Sequence, residues 1–407
     1  MKPHLFFRHR INTLIIFLVA ICCNEHPIES NLSTNLIVDT LSINSLNISS
    51  YAVAPNLATN ERLYLGEKNG IQIPYSFIKI GSSNYWSYYN DSTITFDSIQ
   101  FKLYFDDSLQ NSDLGLLELY FSPDSHFNEN SSTYLDYEGF SISDWFPLGA
   151  PSILNKTDSS NSYTHSELVW SVDSLMYLLS DSSITRTFAL KFANNDSNFI
   201  ELYSEEATIE EKDPKVILFY KRTYSSSIDS VLVDTLSNSI YSSSDLSIFD
   251  PGSFENNLSL NRINNGLGRR IFLTFPFNVS SLQNSSIIRS ANLIIPIDSS
   301  DVSENFNIII DPIENDSLKS VDSNNTYAED PLTGIGYPYR LSNTSDSSEY
   351  IVSIKNILQN IILGNEINYG FKIVSEEKNN PFDSIWFLSN DSIRFPKIEI
   401  IYIYNEY

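Results

Sequence analysis

The pentapeptide Val38-Asp39-Thr40-Leu41-Ser42 occurs a second time, unchanged, as Val233-Asp234-Thr235-Leu236-Ser237. The two occurrences are 195 residues apart (38 to 233), and further segments match in the same order along the chain. Near the ends of the copies, Pro214-Lys215-Val216 corresponds to Pro396-Lys397-Ile398. Each match is short, but a fixed order of matches is the mark of an internal repeat. The sequence therefore predicts two copies of one module.

The length of the chain agrees with two modules. With 407 residues, the chain exceeds the usual size of one domain. A short polar stretch at 223–232 separates the two copies and is suited to a linker. We therefore predict a first module over 35–222 and a second module over 233–407.

The secondary structure predicted for both copies is mostly strand. Polar and apolar residues alternate in Gln100-Phe101-Lys102-Leu103-Tyr104-Phe105, which is the period of a half-buried strand. The abundant Ser and Asn residues disfavour helices, because their side chains compete for backbone hydrogen bonds. A short amphipathic helix is nevertheless predicted in each copy, at 172–179 and at 351–362. These features predict an all-β protein of two tandem jelly-roll-like β-sandwich modules, each with one short helix.

The first 22 residues have the pattern of an export signal. Lys2, Arg8 and Arg10 form a basic start, and an apolar run follows at 14–21. That run is too short to span a bilayer as a helix, so a signal peptide over 1–22 is the better interpretation.

The only two cysteines of the chain, Cys22 and Cys23, follow the apolar run. The pattern resembles a bacterial lipoprotein signal, in which the first mature residue is a lipid-modified cysteine. We expect one of the two to be lipidated, with residues 23–34 as a polar tether; the alternative is an ordinary cleaved signal with two incidental thiols. The prediction is an exported protein anchored by lipid at the outer membrane or cell surface, and otherwise periplasmic or secreted.

The charge of the chain argues against one class of partner. The 25 Lys and Arg residues against 50 Asp and Glu residues give a formal net charge of −25. A chain this acidic repels phosphate backbones, so no nucleic-acid partner is expected. Because both cysteines are near the N-terminus, no disulfide scaffold or cysteine-based metal cage is expected in the body of the chain.

The sequence has no pattern typical of a catalytic site. It has no nucleophile elbow, no zinc-ligand spacing and no glycine-rich phosphate loop. A glycosidase needs only two suitably placed carboxylates, which so acidic a chain could supply. The prediction is a protein that is not an enzyme, with a carboxylate-based polysaccharide-degrading enzyme as an alternative.

Three segments of the second copy carry a resemblance to known modules. They are Ser290-Ala291-Asn292-Leu293, Asn368-Tyr369-Gly370-Phe371 and Pro396-Lys397-Ile398. Their order is similar to that in DNRLRE-type β-sandwich modules, a group close to carbohydrate-binding modules of secreted bacterial proteins. The resemblance extends over both copies. It implies a non-catalytic fold that binds glycans or serves as a surface building block.

Aromatic residues are dense in the predicted loops. Exposed rings can stack on the C–H faces of sugars, while neighbouring polar side chains fix the orientation of the ligand. The candidates for such a platform are Tyr85, Trp86, Tyr88, Tyr137, Trp145, Tyr337 and Tyr339. The alternative is that these rings pack the long loops onto the sandwich.

Acidic residues follow equivalent strands in the two copies, at Asp106 and Asp107 in the first and at Asp298 and Asp301 in the second. Calcium takes oxygen ligands from carboxylates and carbonyls, so these residues are candidates for a structural calcium site. No other cofactor is expected. The alternative is that they cap strand ends and keep the surface soluble.

The function favoured by these features is that of a non-catalytic exported surface protein whose two modules bind polysaccharide or another surface ligand. A structural or adhesive cell-surface protein is the principal alternative. An exposed aromatic platform favours the first interpretation, whereas apolar or edge-strand patches favour the second.

Overall fold

The computed structural model describes most of the chain beyond residue 35. The described residues are 36–106, 114–157, 164–194, 198–209, 211–225, 231–252, 260–298, 306–315, 321, 325–342, 348–376, 379–388 and 394–405. Most of them lie in β-strands, and the helices are short. The predicted all-β class is therefore confirmed.

The described strands fall into two groups along the chain. The predicted linker 223–232 overlaps the end of one strand and the start of the next. The strands up to Ser225 are β1 (Leu36–Ile43), β2 (Asn47–Val53), β3 (Arg62–Lys68), β4 (Ile71–Ile73), β5 (Ser76–Ile80), β6 (Ile94–Asp106), β7 (Leu117–Ser122), β8 (Phe146–Gly149), β9 (Ser152–Thr157), β10 (Thr164–Ser171), β11 (Arg186–Phe192), β12 (Phe199–Tyr203) and β13 (Lys215–Ser225). Those from Val231 onward are β14 (Val231–Ser247), β15 (Leu260–Ile263), β16 (Arg269–Thr274), β17 (Ile287–Pro296), β18 (Asn307–Pro312), β19 (Thr326–Tyr327), β20 (Tyr339–Ser342), β21 (Glu349–Ser353), β22 (Phe371–Ser375), β23 (Ile385–Leu388) and β24 (Lys397–Asn405).

The first sandwich is one long sheet folded over on itself. Its strand order is β8-β7-β11-β5-β14-β13-β6-β10-β9. Strand β14 joins the two halves, because it pairs with β13 up to Tyr241 and with β5 from Ser242 onward. Phe101 of β6 stacks on Phe188 of β11 with ring centres 4.5 Å apart, so the two halves face each other across a shared core. A small sheet of order β12-β3-β4 accompanies them.

The second sandwich consists of two separate sheets. One has the order β1-β24-β17-β21, and the other has the order β19-β2-β16-β22-β18-β20. Leu293 of β17 and Phe371 of β22 belong to one buried apolar cluster, although they come from different sheets. Burial of such aliphatic and aromatic side chains is the main favourable contribution to the stability of both sandwiches.

The two copies of the repeat exchange their first strands. Strand β1 pairs with β24, the last strand of the chain, and places Thr40 opposite Ile401. Strand β14 pairs instead with β13, the last strand of the first copy, and places Thr235 opposite Lys221. The pairing therefore crosses the predicted linker in both directions, and the sandwiches are not the contiguous ranges 35–222 and 233–407.

The two helices lie at equivalent places in the copies and are shorter than predicted. They are α1 (Met176–Leu179) and α2 (Lys355–Ile362). Residues 351–353, expected to start the second helix, belong to β21, where alternate side chains are buried. In α2, Leu358 and Ile361 face the core. Among the described residues, no helix has the length and apolar character required to cross a membrane.

An aromatic cluster holds the sandwiches together. Phe382 of the second copy packs edge-on against Tyr64 and Phe199 of the first, with ring centres 5.2 Å apart in each pair. The Tyr64 hydroxyl also donates a 3.0 Å hydrogen bond to the carbonyl of Asn379. The contact buries large rings and satisfies the polar end of the tyrosine, as is usual for such side chains.

Candidate functional site

Trp86 was predicted as part of an aromatic platform, but the structure places it in the core. Its side chain is 6% exposed, and its indole Nε1 donates a 3.2 Å hydrogen bond to the carbonyl of Gly81. The guanidinium of Arg186 lies 4.5 Å from the ring centre. Because Trp86 is buried and Arg186 covers its ring, no ring face is available to a sugar. The prediction that Trp86 stacks on a ligand is therefore wrong, and the residue packs in the core.

Trp145 and Tyr137 also pack a long loop onto the first sandwich. Trp145 is 6% exposed, and Tyr137 stacks on Phe77 at 5.1 Å between ring centres. The Tyr137 hydroxyl donates a 2.9 Å hydrogen bond to the carbonyl of His126. Trp145 and Tyr137 therefore pack the loop onto the sandwich, as the alternative interpretation expected, and do not form an exposed platform for a sugar.

Tyr85 and Tyr88 lie on a single 3-10 segment, Asn84–Asn90, and are half-buried. The two rings meet edge-on at 5.4 Å, and Tyr88 meets Tyr220 at the same distance. Edge-on contacts of this kind hold rings against a core rather than spread them into a flat surface.

Tyr337 is the predicted platform residue that the solvent reaches best. Its side chain is 82% exposed, and it stands at the rim of a groove of about 440 Å³ in the second sandwich. The groove lies between the end of β18, the loop before β20, helix α2 and the loop after that helix. Its lining residues include Glu314, Ile335, Tyr337, Ile357, Ile361, Asn365, Glu366 and Ile367.

A hydrogen bond holds one of the polar side chains that line this groove, and two others are exposed to solvent. Glu366 Oε1 accepts a 3.0 Å hydrogen bond from Asn360 Nδ2, which orients the carboxylate. Tyr339, another predicted platform residue, is half-buried, and burial, followed by the charge of Glu366, raises its pKa. Asn365 and Glu314 are exposed. The arrangement combines an exposed ring, an aliphatic floor and hydrogen-bonding groups.

The Asn-Tyr-Gly-Phe segment, Asn368 to Phe371, forms part of the groove wall. Asn368 Nδ2 donates hydrogen bonds of 2.8 and 3.2 Å to the carbonyls of Phe275 and Phe277. Gly370 has a φ of +89°, and a Cβ there would lie 2.2 Å from the carbonyl oxygen of Leu273. Only glycine tolerates both conditions, which gives a structural reason for this motif.

Two of the four predicted calcium ligands, Asp106 and Asp298, lie in different sandwiches of the described structure. Asp106 ends β6 in the first sandwich, whereas Asp298 follows β17 in the second. The backbone N–H of Asp298 donates a 2.9 Å hydrogen bond to the carbonyl of Trp386. Asp107 and Asp301 lie outside the described residues, as do both candidate lipidation residues, Cys22 and Cys23.

A different group of carboxylates, which the sequence did not reveal, meets in the first sandwich. Glu129, Glu206 and Asp245 each place a carboxylate oxygen so that these atoms lie within 4.8 Å of one another. Burial and then the neighbouring carboxylates raise the pKa of Asp245 well above its usual value. Burial, followed by the charge of Glu129, raises the pKa of Glu205 to about 7. The three residues are far apart in sequence, so no local spacing could have indicated them.

Comparisons of this chain with protein-family models, with curated proteins and with solved structures return no match. The functional argument therefore depends on the geometry of the chain itself and on its sequence.

Proposed function

We propose that this chain is an exported, non-catalytic surface protein that binds polysaccharide in the groove beside Tyr337. The observation that carries the proposal is the 82% exposure of the Tyr337 side chain at the rim of that groove. Tyrosine is enriched at binding surfaces, because its ring offers apolar contact area while its hydroxyl can form a hydrogen bond. Export rests on the signal pattern of residues 1–22.

The chemistry of the groove suits a sugar chain. The face of Tyr337 can stack on sugar C–H groups, and Asn365 and Glu366 can exchange hydrogen bonds with hydroxyls. Ile335 and Ile361 supply an apolar floor beneath them. Because the carboxylates of Glu314 and Glu366 would repel anionic polymers, neutral polysaccharides are the expected ligands.

Affinity electrophoresis through gels that contain neutral polysaccharides tests the proposal. The wild-type chain should be retarded by at least one polysaccharide, and Tyr337→Ala should remove the retardation. Tyr177→Ala is the matched control, since Tyr177 is 72% exposed but lies on the first sandwich. If no polysaccharide retards the wild type, or if both variants behave alike, the groove is not a sugar site.

The same samples distinguish binding from hydrolysis. An enzyme would use Glu314 and Glu366, the two carboxylates of the groove, and would release reducing ends from the polysaccharide. We expect no release by the wild type or by Glu366→Gln. Release by the wild type that Glu366→Gln abolishes would establish the enzyme and contradict the non-catalytic proposal.

A structural or adhesive role is the second candidate, and one surface observation favours it. Val38, Ile403 and Ile287 lie side by side across strands β1, β24 and β17. Val38 is 61% exposed and Ile287 is 64% exposed, so the outer face of this sheet carries an apolar row. Self-association that is lost in Val38→Lys, measured by light scattering after size exclusion, would support this role.

The proposed lipid anchor is tested separately. Metabolic labelling with a fatty acid should label the exported chain, and replacing both Cys22 and Cys23 by Ser should abolish the label. If the wild-type chain is not labelled, residues 1–22 are an ordinary cleaved signal peptide and the lipid anchor is ruled out.

A further inference from the structure

Three acidic side chains converge in the first sandwich from three distant segments. Glu129 lies in the loop after β7, Glu206 lies in the loop after β12, and Asp245 lies on β14. One carboxylate oxygen from each is within 4.8 Å of the others. Three negative charges at this spacing repel one another strongly unless something placed among them compensates.

Hydrogen bonds to backbone groups hold this cluster in place. Asp245 is 1% exposed, and its Oδ2 accepts a 2.7 Å hydrogen bond from the backbone N–H of Glu205. Its own N–H donates a 3.1 Å hydrogen bond to Glu129 Oε1. The Asn56 side chain holds the carbonyl of Glu129 at 2.8 Å. These bonds fix the loops that carry the carboxylates.

The ion pairs of the described residues do not involve this cluster. Within the part of the chain that the structure describes, no Lys or Arg forms an ion pair with Glu129, Glu206 or Asp245. A buried carboxylate is normally paired with a cation, coordinated to a metal or neutralised. The charge of these carboxylates would therefore be neutralised by a proton or by a cation from outside the described residues.

Two buried polar groups also lack partners. The Oε2 atom of Glu206 is inaccessible to solvent and has no hydrogen-bond partner among the described residues. Asn60 is 2% exposed, and neither polar atom of its side chain has a partner there. The backbone carbonyl of Asn60 accepts a 2.6 Å hydrogen bond from Ser204 Oγ, so Asn60 adjoins the segment that carries Glu206. Unpartnered buried polar groups are rare in native proteins, and a bound water or ion is the usual way in which they are satisfied.

We propose that Glu129, Glu206 and Asp245 bind one divalent cation, calcium, with Asn60 as a neighbouring oxygen donor. Calcium takes carboxylate and amide oxygens in irregular geometry, whereas magnesium retains several waters and needs a strict octahedron. Zinc favours sites with nitrogen or sulfur ligands, and these three ligands offer only oxygen. The site is distinct from the groove at Tyr337 and does not depend on its function.

The bound ion would fasten the exchanged strand to its host. Asp245 belongs to β14, which comes from the second copy, whereas Glu129 and Glu206 belong to the first. Asn60 lies between β2 and β3, where the chain passes from the second sandwich back to the first. The cation thus joins the segments that connect the two sandwiches.

Calorimetry on the chain, first stripped with EDTA, tests the site with calcium chloride alone as the probe. We expect one ion per chain and a higher thermal unfolding midpoint when calcium is present. Asp245→Asn and Glu206→Gln should each weaken binding by more than about tenfold. Asp106→Asn is the matched control at the location expected from the sequence, and it should bind like the wild type.

The amide variants separate loss of the ion from loss of the fold. Without calcium, Asp245→Asn should unfold at a higher temperature than the stripped wild type, because one buried charge has been removed. It should also no longer respond to calcium. The proposal is overturned if calcium leaves the wild-type midpoint unchanged, or if binding is lost in Asp106→Asn but kept in Asp245→Asn.

Discussion

The hydroxyl of Tyr51 donates a 3.1 Å hydrogen bond to Oδ1 of Asp330, a residue 279 positions later in the chain. Tyr51 lies on β2, in the segment that the first copy gives to the second sandwich. Asp330 also pairs with Arg270 and, at 3.2 Å, with Lys372. Burial acts to raise the pKa of Asp330, but the two cations hold it below its usual value. A charged network therefore fastens the exchanged strand in its place.

Removal of the Tyr51 hydroxyl should destabilise the protein. Tyr51 is fully buried, and a hydrogen bond to a charged group contributes about 1.5–3 kcal/mol. Tyr51→Phe should lower the free energy of unfolding by about that amount in urea titrations. Tyr177→Phe, at an exposed position, serves as the control and should leave it unchanged. Equal stability of both variants would contradict an anchoring role for Tyr51.

A pair of introduced cysteines should detect the strand exchange. Thr40 lies opposite Ile401 in the antiparallel pairing of β1 with β24. Opposed residues in such ladders are close enough for a disulfide. With both native cysteines replaced by Ser, Thr40→Cys with Ile401→Cys should oxidise within one chain. Intact mass and non-reducing electrophoresis would show a cross-linked monomer.

The control for this experiment follows from the repeat. If the first copy kept its own first strand, Thr40 would occupy the place of Thr235, which lies opposite Lys221. Thr40→Cys with Lys221→Cys should therefore give no intramolecular disulfide. A cross-link in this pair, and none in the first, would show that the strands are not exchanged.

Two aromatic substitutions should separate packing from binding. Trp86→Ala removes a ring that is 6% exposed, and the free energy of unfolding should fall by about 3–5 kcal/mol. Tyr337→Ala removes a ring that is 82% exposed and should leave the urea midpoint unchanged. If Trp86→Ala is as stable as the wild type, Trp86 does not pack in the core and is again a candidate sugar contact.

The stability of the first sandwich should depend on the protonation of His126. Its ring lies 4.4 Å from that of Trp145, and Nε2 is 2.7 Å from Ser122 Oγ. Burial lowers the pKa of His126 from 6.5, although Asp124 opposes the shift. The folded state favours the neutral ring of His126, so its contribution to the free energy of unfolding is fully present above pH 6.5. That stabilisation is lost as the pH falls through the lower pKa that His126 has in the folded state.

Urea unfolding of the wild type and of His126→Gln between pH 8 and pH 5 measures this dependence. Glutamine keeps a hydrogen-bonding group near Ser122 but does not titrate in this range. As the pH falls, the free energy of unfolding should decrease more for the wild type than for His126→Gln. A difference that is constant with pH would show that His126 has the same pKa in both states.

Local patterns in the sequence predicted much of the secondary structure. The alternation at Gln100–Phe105 marks part of β6, because residues two apart share one face of a strand. The second helix was predicted to begin four residues too early, at 351 instead of 355, since Ile351 and Val352 fit a helical stripe as well as a strand. Burial of Trp86 was missed because no local pattern tells whether a loop ring faces solvent or core.

The sequence by itself determined the all-β class and predicted two copies, because strand periodicity and internal identity are local properties of the chain. Only the tertiary structure decided which copy receives each first strand. Val38–Ser42 and Val233–Ser237 are identical, so their intrinsic pairing preferences cannot distinguish β24 from β13. The choice depends on non-local contacts such as Tyr51 with Asp330, and so does the meeting of Glu129, Glu206 and Asp245.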